Sequence, residues 1–248
     1  MHYFVGKCGS EEVLARFPDL HDAQILQDHV SDLLQDLADE LPDEYGHALE
    51  LWYEGHPQES IGVLADLFVE LPNSYLVAFT LGDKLQDVGK FFDSVRVLMR
   101  ALVLAPHATM KIQALSRSLL DWKMLGQIET AKAEVQLAQA HFGHGVVAYR
   151  EAHHYSYAAT PAEAVTLEYN HASMLAHRLL MVVCAHAESE DKSDNRQSAI
   201  QLLHRARAAT EVSRMVCAHY TVHGMDSNHK DLENGLDSLE MKVCELKA

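Results

Sequence analysis

Seventeen histidines and four cysteines give this 248-residue chain enough imidazole and thiol to hold a metal, provided that several of them converge. Most of the imidazoles fall late in the chain, at His141, His144, His153, His154, His171, His177, His186, His204 and His219. Two Cys-Ala-His triplets, Cys184-Ala185-His186 and Cys217-Ala218-His219, set thiol and imidazole two residues apart. On a helix that spacing points them to different faces, whereas a helical metal pair needs three or four residues. His141 and His144 have the helical spacing but run into a glycine-flanked end at Gly143-His144-Gly145. No metal and no cofactor is therefore expected. Covalent and phosphoryl chemistry find no better support, because no phosphate-cradling loop, nucleophile elbow, zincin helix or nucleotide fingerprint occurs. The chain reads as a non-enzyme.

Cysteine usage and charge bound the remaining classes. Cys8, Cys184, Cys217 and Cys244 are too few and too scattered for a disulfide framework, so reduced thiols in a reducing compartment are expected. The start, MHYFVGKCGSEE, lacks the basic cluster and apolar run of a signal peptide, and Leu179 to Ala185 is too short to cross a bilayer. A cytoplasmic location without membrane insertion follows. With 48% hydrophobic and 23% charged residues, the chain can bury a sizeable core. Its net charge of −16 is concentrated at one end. Positions 1–72 carry 16 carboxylates against Lys7 and Arg16, while positions 73–248 carry 20 acids and 18 bases. Such a field repels phosphate backbones, which argues against nucleic acid, and favours a partner with basic or apolar segments. The same carboxylates also serve to solvate the outer faces of amphipathic helices.

The elements that must position these residues are helical. Residues 1–42 hold an opening helix signalled by Ser10 before Glu11 and Glu12, then Ile25, Leu26, Val30, Leu33, Leu34 and Leu37 on one helical face. Between residues 43 and 143 a register repeats. Gly55, Ser60, Ile61, Leu64, Leu67 and Pro72 recur with unchanged spacing as Gly89, Ser94, Val95, Leu98, Ala101 and Pro106. One hairpin turns at Gly55-His56-Pro57, and a second opens at the N-cap Ser74 and turns at Val88-Gly89-Lys90. A third hairpin spans about residues 109–142, with Gly126, Ala131, Val135 and Ala138 three residues late, which predicts a longer turn between its helices. Residues 144–160 break the period and read as a linker. Thr160-Pro161-Ala162-Glu163 then starts a long helix to near His186. Residues 188–195 read as a solvated turn, about Arg196 to His223 as a second long helix stopped by Gly224, and Leu232 to Leu246 as a last amphipathic helix. Residues 161–248 thus form a C-terminal helical region, either a degenerate fourth repeat plus a terminal helix or a separate bundle.

A 34-residue helix-turn-helix period resembles that of the tetratricopeptide repeat (TPR) family, most closely over residues 41–106 and more loosely to 143. The first repeat departs from the family pattern with His47-Ala48 where Leu-Gly is commonest and Leu67 for alanine. The resemblance implies an all-α, right-handed superhelix of helical hairpins, with the N-terminal segment as a cap over the apolar face of the first repeat. It also implies a concave groove lined by the first helix of each hairpin. Laid on that pattern, the groove takes Tyr45, Leu49, Trp52 and Tyr53 from the first hairpin, Leu76, Phe79, Asp83 and Gln86 from the second, and Met110, Gln113, Arg117 and Leu120 from the third. This lining is aromatic and apolar, unlike the basic lining that clamps a terminal carboxylate in chaperone-adaptor members. It implies an adaptor, chaperone or assembly factor that binds a partner polypeptide, with the large side chains carrying affinity. The first alternative is a homo-oligomeric scaffold assembled through the C-terminal helices, and the second a helical enzyme or metal-binding protein.

Overall fold

The structure, a computed structural model, describes residues 14–132, 135–186, 192–222 and 224–246. Among them lie ten α-helices and no strand. In chain order these are α1 (Leu20–Asp39), α2 (Asp43–Tyr53), α3 (Pro57–Glu70), α4 (Tyr75–Asp87), α5 (Phe91–Leu104), α6 (Ala108–Ala131), α7 (Val135–His153), α8 (Pro161–His186), α9 (Lys192–His219) and α10 (Asp226–Glu245). Helices α2/α3, α4/α5, α6/α7 and α8/α9 pack as successive hairpins, each also touching the next, and α10 folds back onto α9 and α8.

The repeat seen in the sequence has a physical counterpart. Ser60 Oγ donates to the Ala48 carbonyl at 2.6 Å, and one period later Ser94 Oγ donates to the Gly82 carbonyl at 2.7 Å. Each bond ties the second helix of a hairpin to the first, and each needs a small residue at the crossing. A Cβ at Gly82 would lie 2.7 Å from Leu98 Cγ, closer than a real Cβ approaches. The turns match as well, with Gly55 at φ +87° and Gly89 at φ +78°, left-handed values that favour glycine.

The third hairpin differs from the expectation. Rather than a longer turn, it has a longer first helix: α6 runs through Gly126 to Ala131. Gly126 is a crossing glycine, because a Cβ there would sit 2.7 Å from Phe142 Cδ1 and closer still to Cε1. The pair Gly126 and Phe142 repeats the pair Gly82 and Leu98, with the same spacing inside each pair. The expected linker is also absent as such. Helix α7 continues through Gly143-His144-Gly145 to His153, and a short 3-10 turn at Ser156–Ala158 leads to the next hairpin. Each helical glycine costs roughly 1 kcal/mol relative to alanine, but Phe142, Val146, Ala148 and Ala152 are all buried, and an apolar side chain so placed returns about 1.5–3 kcal/mol when large. Tertiary burial therefore overrides the local signal.

Most helix starts follow the sequence. Pro57 occupies the first turn of α3, Ser74 Oγ accepts from Val77 N, and Thr160 and Glu163 form a reciprocal capping box, with Thr160 N donating to Glu163 Oε2 at 2.8 Å. Ser10 lies outside the described residues. Helix α1 begins at the N-cap Asp19, which accepts from Asp22 N at 2.9 Å. It lays Leu33, Leu34 and Leu37 on the core, whereas Ile25 of the expected face is 54% exposed. Helix α9 starts at Lys192, so residues 192–195 belong to it rather than to a turn.

The core has two parts. One spans α2 to α5 and includes Ala48, Leu64, Leu67, Val77 and Leu81; the other joins α6 to α10 through Leu119, Phe142, Leu167, Leu175 and Leu179. Helix α6 serves both, giving Met110 and Ala114 to the first and Ile112, Leu115 and Leu119 to the second.

Candidate functional site

The first helices of the hairpins bring only part of the expected lining to the surface. Tyr45, Leu76, Gln86 and Met110 are buried, so the sequence-based assignment of these four to an open groove is corrected. The reason is geometric. Each sits in a core shared between neighbouring hairpins, and the polar atoms of two of them are spent there: Tyr45 OH shares a 2.9 Å hydrogen bond with Thr80 Oγ1, and Gln86 Nε2 donates to Asp121 Oδ1 at 2.7 Å. Burial raises the Tyr45 phenol above its ordinary value, which keeps it neutral. Leu49 and Leu120 are half-buried, Leu49 against the first core. Tyr53 is 83% exposed at the end of α2, and Trp52 is half-buried with Lys84 Nζ 4.5 Å above its ring.

Phe79, Asp83, Gln113 and Arg117 do come together. Asp83 Oδ1 holds Arg117 Nη2 at 3.0 Å, and Phe79 stacks on Tyr75 with centroids 5.6 Å apart. Tyr75 OH donates to the Met110 carbonyl at 3.2 Å, fixing α4 against α6. Phe79, Gln113 and Arg117 line a cavity of about 280 Å³. Its other wall comes from the first turns of α8, with Ala162, Glu163 and Thr166. The start of the C-terminal region therefore closes this cavity. Glu163 accepts a hydrogen bond from Gln113, and burial raises its carboxyl above the usual range. Ser116 also lines this cavity, only 4% exposed, and its hydroxyl has no hydrogen-bond partner among the described residues. A buried hydroxyl left so costs about 1–3 kcal/mol, which a ligand carbonyl or amide would recover.

Beneath this face lies a polar group that the repeat pattern does not reveal. Asp121, fully buried on α6, accepts from Gln86 Nε2, and its Oδ2 is 2.7 Å from Ser94 Oγ. Ser94 Oγ is equally 2.7 Å from the Gly82 carbonyl, and one hydroxyl proton cannot serve both oxygens. A protonated Asp121 resolves this by donating to Ser94 while Ser94 donates to Gly82. Burial pushes the Asp121 carboxyl up to about 7, against the hydrogen bonds from Gln86 and Ser94 and the Arg117 charge. A second such group sits in the C-terminal half. Tyr149 OH donates to Glu168 at 3.1 Å and its ring stacks on His171 at 3.5 Å, while Arg16 Nη1 donates to His153 Nε2 at 3.1 Å. Burial raises Glu168 to about 7 and lowers His171 to about 3, which keeps the imidazole neutral.

His141 and His144 flank the Trp122 ring, with centroids at 5.6 and 4.8 Å, and among the described residues no group of three or more His, Cys, Asp or Glu side chains could hold a metal. No helix among those residues is long and apolar enough to cross a membrane. Comparison with known proteins finds no family model, curated protein or solved structure that matches this chain. Sequence reasoning missed Ser116, Asp121, Glu163 and Thr166 as parts of the site. For Ser116 and Asp121 the available signal was α6 itself, 24 residues whose polar side chains are spread round the helix rather than gathered on one face, so that some of them have to be internal.

Proposed function

We propose that this chain is a non-catalytic scaffold of the tetratricopeptide kind that holds a partner polypeptide where α4, α6 and α8 meet. The observation that carries the reading is the cavity between Phe79, Gln113, Ser116 and Arg117 on one side and Glu163 and Thr166 on the other. It presents an aromatic ring for an apolar side chain, the 44% exposed Arg117 for a carbonyl or carboxylate, and the unpartnered Ser116 hydroxyl for a peptide group. The helical hairpins, with a hydrogen bond that recurs at the sequence period, support the family reading. The acidic α1–α3 end favours a partner with basic segments beside the apolar one, speeding encounter rather than tightening contact.

The test is capture of partner polypeptides by full-length protein, by crosslinking in cell extract, compared with a Phe79→Ala/Arg117→Ala double variant of unchanged helical content. Truncation of central anchors typically costs about 2 kcal/mol or more, so capture by the variant should fall by about tenfold or more. Equal capture by the two proteins would remove the groove from the proposal.

A further inference from the structure

A larger cavity, of about 480 Å³, opens between α6, α8 and α10, on the side of α6 that serves the second core. That volume is within the range of roughly 300–1,000 Å³ typical of small-molecule sites. Its lining includes Lys123, 9% exposed, with its ammonium 2.7 Å from Asn170 Oδ1 and 5.7 Å from the Tyr169 ring. Both partners are neutral. Among the described residues Lys123 has no ion pair, and burial alone lowers its amine to about 8. A buried cation without a counter-ion is costly, and one carbonyl oxygen satisfies one of its three N–H groups.

The walls have two characters. Ala176, Leu180, Leu232 and Leu239 are apolar, whereas His177 is fixed as a neutral imidazole, its Nδ1 donating to the Ser173 carbonyl at 2.7 Å and its Nε2 facing Gln127 at 2.9 Å. Gly235 on α10 lines the same space. Nothing lies within 4 Å of where its Cβ would be, so no helix crossing requires a glycine. A glycine there costs α10 about 1 kcal/mol relative to alanine, and its effect is to keep that wall open.

We propose that this cavity binds a small organic monocarboxylate with an apolar body, the carboxylate accepting from Lys123 Nζ and the body lying along Leu180, Leu232 and Leu239. Charge complementarity selects the head group, because the strongly buried charge in the lining is the Lys123 ammonium. Asp231 and Lys242 also line the cavity and offset one another, so a single negative charge is matched and a dianion such as phosphate is not.

Titration calorimetry of the full chain at pH 7 with octanoate, octanamide and inorganic phosphate tests this. Octanoate should bind saturably at one site, and Lys123→Met should weaken it at least tenfold. Gly235→Leu, which fills the cavity from a helix that gains propensity, should weaken it as much; this variant decides the matter if Lys123→Met does not fold. Absence of saturable octanoate binding, equal affinity in Gly235→Leu, or octanamide or phosphate binding as tightly as octanoate would overturn the proposal.

Discussion

Gly126 and Gly143 lie in the same hairpin, yet an added methyl group meets opposite surroundings at the two. At Gly126 it would overlap the Phe142 ring, while at Gly143 nothing stands within 4 Å. Gly126→Ala should therefore destabilise the protein by about 1–3 kcal/mol through overpacking. Gly143→Ala should stabilise it by up to about 1 kcal/mol through helix propensity. Urea unfolding of both variants checks the pair, and equal effects would contradict the crossing assigned to Gly126. Asp121 gives a pH dependence at the same scale. Its folded carboxyl titrates near 7, above the ordinary value of 3.8, so the folded state holds the proton longer than the unfolded one. Stability from this group is full below about pH 4 and is lost as pH rises through 7. Asn imitates the protonated acid, accepting from Gln86 and donating to Ser94. Relative to the parent, Asp121→Asn should thus gain on the order of 2 kcal/mol between pH 5 and pH 8, at about 1.4 kcal/mol per pH unit. Denaturation at the two pH values measures the gain, and no gain would mean that Asp121 is ionised in the fold.

Among the helices, α10 shows how an amphipathic pattern is assigned its partner. Its rhythm from Leu232 to Leu246 suits self-association as well as folding back. In the fold its apolar face is spent within the chain, with Leu236, Leu239 and Val243 buried in the second core and His229 Nε2 2.9 Å from Ser213 Oγ on α9. Leu236→Ala should cost about 2–5 kcal/mol in urea unfolding, whereas Met241→Ala, on the exposed face, should stay within about 0.5 kcal/mol. Light scattering of the two variants should give the parent's mass. A lower mass for Leu236→Ala would show that α10 joins copies of the chain. Helix α6 is the complementary case: its lengthening relative to the first helices of the regular repeats carries Lys123 and Gly126 into the C-terminal half.

At the scale of the molecule, two apolar cores share one helix, and each hairpin packs mainly on its neighbours. Stability in such a chain is close to a sum of nearest-neighbour terms, so its parts can open separately. Leu64→Ala, in the first core, should raise amide exchange in α2 to α5 while leaving α8 and α9 near the parent's protection. Uniform acceleration along the chain would instead indicate a single cooperative unit. The acidic excess is confined to positions 1–72, and none of the residues that line the Lys123 cavity falls among them.

The sequence alone determined the helices, the periodic repeat, its glycine turns and its caps, because these depend on short-range spacing and on backbone conformations that few residues adopt. Ser60, Ser94, Gly55 and Gly89 were legible in this way. It could not separate lining from core. Tyr45, Leu76 and Met110 have the same helical phase as an open groove would need, and only the approach of a neighbouring hairpin decides that they are covered. It also could not place Ser116, Asp121, Lys123 or Glu163, whose surroundings come from residues distant in the chain. Their burial, hydrogen bonds and charge states are properties of helix packing, which periodicity within one helix does not encode.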